Sequence, residues 1–159
     1  LEPVLDSPVE FVRDDPAFAG PLAGVVSAAR TTSTDRIAVV GCDMPFVSGK
    51  AIRWVAGRSS TADAIVPVDN AGALQPLHAV YRTDAFSGNT ALSGSLRTVL
   101  DGLDCCRVPV ETAPHPIDLS LTNVNTKSEL RDARQRTDRI YRDGSRNVTS
   151  NVSSNGENR

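Results

Sequence analysis

The feature that most constrains the fold is an uninterrupted apolar run at residues 37–40, Ile-Ala-Val-Val, which is closed by Gly41. Such a run is typical of a strand that is buried on both faces, as in a parallel sheet covered by helices. In open α/β sheets, ligands bind just beyond the carboxyl ends of the strands. Asp43 stands there, two residues after Gly41. The run therefore predicts an α/β fold and marks one edge of the sheet as a functional region.

Strand-like and helical segments alternate along the rest of the chain. Apolar runs predict strands at residues 9–12, 64–68, 77–82 and 105–110, and a short strand or an extended segment at 119–124. Helical spacing predicts helices at residues 21–30, 49–56, 92–103 and 128–142. From residue 143 onward apolar residues are almost absent, which predicts a disordered polar tail at 143–159. The alternation therefore predicts one layered α/β domain over residues 1–142.

Composition and charge exclude several classes of protein. A net charge of -2 and a pI near 5.6 are not those of a nucleic-acid binder or of a polybasic membrane-surface protein. No apolar run reaches the roughly 20 residues of a membrane-spanning helix, and residues 1–10 lack the basic region of a signal peptide. The sequence has three cysteines, Cys42, Cys105 and Cys106. An odd number with two adjacent does not suit a disulfide framework and favours a reducing cytoplasm. We therefore expect a cytoplasmic protein that binds neither nucleic acid nor membrane.

Two clusters suit phosphate chemistry. A carboxylate directly after a buried strand is well placed to hold a metal ion and through it a phosphate, although Asp43 also suits a plain turn cap. Gly20 and Gly24 lie one helical turn apart, around the start of the helix that Pro21 begins. The missing side chains allow a ligand to approach the helix N-terminus, or allow the helix to pack tightly on the sheet. The spacing leaves both interpretations open.

Two polar segments follow later in the chain. Asn123 and Asn125 point to the same side of an extended segment, and two amides on one side suit a polar heterocycle with donors and acceptors. Thr126 can cap the next helix, so plain loop and cap chemistry is the alternative. Gln75 and His78 open a predicted strand on its opposite faces, so we expect them not to act as a pair and His78 to be structural.

Four motifs in this order resemble one enzyme family. They are Gly-Pro-Leu-Ala-Gly at residues 20–24, Cys-Asp-Met-Pro at 42–45, Gln-Pro-Leu-His-Ala-Val-Tyr at 75–81 and Asn-Val-Asn-Thr at 123–126. Over residues 9–133, the chain is similar to the molybdenum cofactor guanylyltransferases. The resemblance implies a Rossmann-like nucleotidyltransferase fold, with a mostly parallel sheet and helices on both faces. It also implies transfer of GMP from GTP to molybdopterin, with Mg²⁺ as the cofactor and pyrophosphate as the leaving group.

The resemblance implies roles for individual residues. Asp43 matches the metal-binding, catalytic aspartate of the family, which also touches the nucleotide. Asp14 matches a second nucleotide-contacting aspartate, with Asp15 as the alternative, and Gly20 belongs to a nucleotide-binding motif. The two asparagines of the fourth motif match the residues that hold molybdopterin. The partners implied are GTP and molybdopterin, together with transient contacts to cofactor-biosynthesis proteins or molybdoenzymes.

One feature of the family has no counterpart in this sequence. The family opens with a strand and a glycine-rich loop, roughly Leu-Ala-Gly-Gly-x-Ser-x-Arg-x-Gly, followed by a lysine. This chain does not begin with Met, and its only lysines, Lys50 and Lys127, have no such context. We therefore expect a chain that lacks the first strands and is inactive by itself. The alternatives are a related nucleotidyltransferase that uses CTP or another acceptor, and a nucleotide-binding remnant without catalysis.

Overall fold

The computed structural model describes residues 9–59, 61–88, 92–113 and 117–136. The strands are β1 (Arg36–Val40), β2 (Ala64–Val68), β3 (His78–Arg82) and β4 (Cys105–Pro109). The helices are α1 (Pro21–Thr31), α2 (Gly49–Ala56), α3 (Asp84–Ser87), α4 (Leu96–Leu100) and α5 (Ile117–Ser120), with a 3₁₀ turn at Val110–Thr112. Residues 127–136 are helical and are labelled α6. Every helix in these ranges is too short or too polar to cross a lipid bilayer.

The strands form one sheet in the order β1-β3-β2-β4. β3 runs antiparallel to β1 and to β2, and β2 pairs in parallel with β4. β1, β2 and β4 therefore point in one direction, and β3 is reversed among them. The reversal follows from the short connection between β2 and β3, which turns back where the N–H of Gly72 donates to the carbonyl of Asp69 at 2.9 Å. A parallel pair would need a longer crossover.

Helices cover both faces of this sheet. On one face, α1, α3 and α4 enclose a core that includes Leu22, Phe86 and Tyr81. On the other face, α2 and α5 pack against the sheet around Ile65 and Val80. Neighbouring residues of one strand enter different cores because strand side chains alternate between faces. The predicted α/β class with helices on both faces is thereby confirmed.

The prediction for β1 is correct in position but wrong in burial. β1 covers the apolar run, yet it lies at the edge of the described sheet and Val40 is 39% exposed. Its single described partner is β3, which pairs with it from Arg36 to Val40 in antiparallel register. In this chain, the continuous apolar run therefore does not mean that the strand is buried on both faces.

Three other local predictions need correction. Residues 9–12 form no strand, and Phe11 is 94% exposed, because their apolar pattern meets no partner strand among the described residues. The helix predicted at 92–103 covers only Leu96–Leu100, since the Ser95 side chain caps it by accepting from the N–H of Thr98. Residues 119–124 hold the end of α5 and a turn instead of a strand. The predicted tail at 143–159 and the last part of the predicted helix lie outside the described residues.

Candidate functional site

The loop after β1 carries Asp43 on a tight turn. The N–H of Met44 donates to the carbonyl of Gly41 at 3.2 Å, and the N–H of Gly41 donates to the carbonyl of Leu77 at 2.8 Å. Met44 is 5% exposed, so it anchors the turn in the interior. The Asp43 carboxylate is half-buried, and no described group hydrogen-bonds to it or pairs with it. It therefore presents free oxygen ligands beyond the carboxyl end of β1.

The absence of a side chain at Gly41 makes room for this carboxylate. A Cβ atom at Gly41 would lie 2.5 Å from Oδ1 of Asp43, well inside van der Waals contact. The same Cβ would meet Leu77 and Met44 at 3.6 Å, which is ordinary contact. A side chain at position 41 would therefore displace the Asp43 carboxylate and leave the surrounding packing nearly unchanged.

The segment with the paired asparagines is bonded directly to this turn. The N–H of Val124, which lies between Asn123 and Asn125, donates to the carbonyl of Asp43 at 2.8 Å. Both asparagines are exposed. A single backbone hydrogen bond therefore brings the predicted metal ligand beside the predicted acceptor-binding residues.

A capping box follows the asparagines. Oε2 of Glu129 accepts the N–H groups of Asn125 at 2.7 Å and of Thr126 at 2.9 Å, and Oγ1 of Thr126 accepts the N–H of Glu129 at 3.2 Å. The Asn125 N–H, and after it the Thr126 N–H, lowers the pKa of Glu129. The cap that the sequence predicts at Thr126 is present. It uses the Thr126 and Glu129 side chains, so the asparagine side chains remain free for another purpose.

The start of α1 carries Gly20 and Asp14. Gly20 has φ 59° and ψ -151°, a conformation that glycine alone adopts readily, and a Cβ there would meet no atom within 4 Å. Asp14 is exposed, and its Oδ1 would lie 3.3 Å from a Cβ at Gly24. Asp15 instead pairs with Arg30. Of the two neighbouring acids, Asp14 therefore has the free carboxylate beside the glycine motif.

The start of α1 and the Asp43 turn lie at the same end of the sheet, the end where β1 finishes. α1 has 11 residues and β1 has 5, which makes each about 16 Å long. A short loop joins them and they pack together in the same core, so they run in opposite directions. The N-terminus of α1 therefore lies toward the carboxyl end of β1. Within the described residues, no hydrogen bond or ion pair links Asp14 or Gly20 to Asp43.

A cavity of about 320 Å³, which no sequence motif predicts, lies at this end of the sheet. Its walls include Asp69 and Gln75 from the β2–β3 connection, Thr122 beside the asparagine segment and Arg136 of α6. Asp69 follows β2 as Asp43 follows β1, and this position was its only sequence signal. Its carboxylate is occupied by backbone N–H groups, that of Ala73 foremost, which lower its pKa.

The side chains of Gln75 and His78 have separate hydrogen-bond partners, as predicted. The Gln75 amide donates to Oδ2 of Asp69 at 2.8 Å. His78 is fully buried, and its Nε2 lies 2.8 Å from Oγ of Ser120. Burial lowers the pKa of His78. The ring is therefore a neutral hydrogen-bonding group within the fold, apart from the Gln75–Asp69 pair.

The free carboxylate of Asp43 suits a hard cation that arrives with a phosphate. Within the described ranges, no cluster of three or more His, Cys, Asp or Glu side chains forms a metal cage. Mg²⁺ does not require such a cage, because it commonly takes one or two carboxylates and completes its shell with water and substrate phosphates. The donor set therefore fits Mg²⁺ bound together with a nucleotide.

Comparison with known proteins identifies the family. A sequence profile described as the MobA-like NTP transferase domain matches residues 1–107. The chain belongs to the MobA-like NTP transferase family. It is 33% identical over 147 residues to a "Probable molybdenum cofactor guanylyltransferase" of Pelotomaculum thermopropionicum, covering 84% of this chain and 70% of that relative. A Natronomonas pharaonis protein of the same name is 30% identical over 132 residues.

One solved structure has a similar fold. A crystal structure of molybdopterin-guanine dinucleotide biosynthesis protein A from Archaeoglobus fulgidus superposes with a TM-score of 0.60 at 24% identity, covering 77% of this chain and 65% of that one. The chain likewise spans 65% of the Natronomonas relative. Family membership confirms the nucleotidyltransferase class that the four motifs imply, and the structural likeness confirms the fold.

Proposed function

We propose that the protein transfers GMP from GTP to molybdopterin and releases pyrophosphate. The observation that carries this proposal is the hydrogen bond from Val124 to the carbonyl of Asp43. It joins an unpaired carboxylate, which suits a metal-bound nucleotide, to two exposed amides, which suit a polar heterocycle. The names of the relatives support the same pair of substrates.

The chemistry requires no protein nucleophile. A terminal phosphate oxygen of molybdopterin forms a bond to the α-phosphorus of GTP, and the bond from that phosphorus to the bridging oxygen breaks. The bonding electrons leave with pyrophosphate. Because the attacking phosphate is already an anion near neutral pH, orientation and charge neutralisation supply the rate acceleration. This agrees with a site built from a carboxylate, amides and glycines.

Each predicted residue has a part in this proposal. Asp43 would hold Mg²⁺, which neutralises phosphate charge when it is bound. Gly20 leaves open space at the N-terminus of α1, and Asp14 offers a hydrogen-bond acceptor to the nucleoside. Asn123 and Asn125 would orient molybdopterin. Delivery of the product to a molybdoenzyme would require a transient protein contact.

Moving the Asp43 carboxylate without removing its charge gives one test of this site. We expect Gly41→Ala to weaken binding of the Mg²⁺–nucleotide pair by about tenfold, or about 1.4 kcal/mol, because the new Cβ pushes the carboxylate aside. Titration calorimetry and urea unfolding of the full-length gene product measure affinity and stability. Gly57→Ala is the matched control, since its Cβ would meet its nearest atom at an ordinary 3.5 Å. Unchanged affinity in Gly41→Ala would mean that the orientation of the carboxylate is unimportant.

The choice of nucleotide separates this function from its runner-up, a transferase that uses CTP or a different acceptor. We expect the full-length gene product to bind GTP more tightly than CTP or ATP, with an affinity that falls when Mg²⁺ is chelated. A direct titration of the three nucleotides, each with and without Mg²⁺, provides the comparison. A preference for CTP would support the runner-up, and binding without any transfer activity would support a non-catalytic nucleotide-binding module.

A further inference from the structure

We propose that His78 is a positioning residue, which acts through Ser120 to hold the Asp43 loop and the asparagine segment in one fixed arrangement. This inference rests on the proposed function. It concerns the buried contact between His78 and Ser120, whereas the sequence predicts only a structural role for His78.

The first step is the contact itself. His78 begins β3 and is 0% exposed, and Ser120 ends α5 and is 1% exposed. His78 Nε2 and Ser120 Oγ are 2.8 Å apart. Nδ1 of His78 is buried and has no hydrogen-bond partner among the described residues. The ring is therefore held by a single polar contact, in a place where an apolar side chain would avoid the cost of burying an unpaired nitrogen.

The second step is what Ser120 holds in turn. Its Oγ accepts the N–H of Ser48 at 3.0 Å. Ser48 ends the loop that carries Asp43, and its own Oγ caps α2 by accepting the N–H of Ala51 at 3.1 Å. Ser120 thus bonds to the far end of the Asp43 loop and, three residues later in the chain, leads into Asn123.

The third step is that these contacts form a closed network of hydrogen bonds around the site. The Asp43 loop is fixed at its start to Leu77, the residue before β3, by the N–H of Gly41, and at its end to α5 through Ser120. The asparagine segment is fixed at Ser120 and again where Val124 donates to Asp43. His78 is the group that ties Ser120 back to β3. Its loss would let the two segments shift against each other, although each would keep its remaining bonds.

The test compares three variants of the full-length gene product. We expect His78→Leu and Ser120→Ala to lower kcat for GMP transfer by about 10- to 100-fold, because small misplacements of reacting groups have effects of this size. The dissociation constant for GTP should change little. His78→Gln, whose amide can replace Nε2, should restore most of kcat. In a double-mutant cycle, His78→Leu combined with Ser120→Ala should be no worse than Ser120→Ala alone, because Ser120→Ala already removes the contacts to both His78 and Ser48.

A matched control separates positioning from general stability. Tyr81→Phe removes a part-buried hydrogen bond of β3, the one from the Tyr81 hydroxyl to the carbonyl of Pro76 at 2.7 Å, and leaves the bonds among His78, Ser120 and Ser48 intact. If Tyr81→Phe lowers kcat as much as His78→Leu, or if His78→Gln fails to restore it, the positioning role is wrong. A wild-type kcat in His78→Leu overturns it equally.

Hydrogen exchange without substrates keeps this inference distinct from the proposed function. In His78→Leu, the amides of Ser48 and Val124 should exchange faster than in the wild type, with unchanged exchange in the core of α1. This result does not depend on which reaction the protein performs. Faster exchange in a protein without GMP transfer would reject the proposed function and retain the coupling, whereas unchanged exchange at both amides would reject the coupling itself.

Discussion

Asp43→Asn should lower the turnover of guanylyl transfer by about 100-fold or more, since loss of a charged contact to the reacting phosphates removes several kcal/mol of transition-state stabilisation. The amide has the size of the carboxylate but no negative charge for the cation. No described group bonds to the Asp43 side chain, so the fold does not depend on it. We therefore expect the unfolding midpoint to remain close to that of the wild type.

Asp104→Asn is the matched control for this prediction. Asp104 is also exposed and also adjoins a strand, but it precedes β4 and so lies at the opposite edge of the sheet from Asp43. Turnover of Asp104→Asn should equal that of the wild type. Rates are measured over a range of Mg²⁺ concentrations in the full-length gene product. Near-normal transfer by Asp43→Asn at limiting Mg²⁺ would rule out the metal-binding role.

Replacing both Asn123 and Asn125 with alanine should raise the molybdopterin concentration needed for half-maximal rate by about tenfold or more, at about 1 kcal/mol for each lost hydrogen bond. The affinity for GTP should barely change, because these amides face the acceptor in our proposal. Both side chains are exposed, and the capping box does not use them, so the fold should tolerate the change. Steady-state kinetics with each substrate varied in turn measures the two effects.

Thr126→Ala is the discriminating control for the asparagine pair. It removes the side chain that caps α6 and should cost about 1 kcal/mol of stability, while both amides remain. If Thr126→Ala reproduces the kinetic defect of the double variant, the asparagines serve the cap and not the acceptor. Equal losses of GTP and molybdopterin binding in the double variant would lead to the same conclusion.

Local chemistry made much of this site predictable. Three residues occupy the helix-start position that their backbone or side-chain chemistry favours. They are Gly20 before Pro21, Ser48 before α2 and Thr126 before α6. Asp43 stands beyond β1 because an apolar run followed by glycine ends a strand. These features depend on a few neighbouring residues, so sequence alone contains them.

Other features depend on contacts between distant parts of the chain. Residues 117–122 alternate apolar and polar side chains like a strand, but Ile117 and Leu121 are one helical turn apart and enter the same core, which favours α5. The reversal of β3, the bond from Val124 to Asp43 and the bond from His78 to Ser120 join segments far apart in sequence. No pattern of neighbouring residues in the sequence predicts such pairings. The same is true of residues 9–12, whose apolar pattern required a partner strand that the described residues do not provide.

The central claim is tested most directly by the product itself. The full-length gene product is incubated with GTP, Mg²⁺ and molybdopterin, and the mixture is analysed by mass spectrometry with a separate assay for pyrophosphate. We predict a molybdopterin guanine dinucleotide that accumulates in equal amounts with pyrophosphate, and little product when CTP replaces GTP. A cooperatively folded protein that forms no dinucleotide from any nucleotide, or that releases pyrophosphate without joining GMP to molybdopterin, would contradict the account.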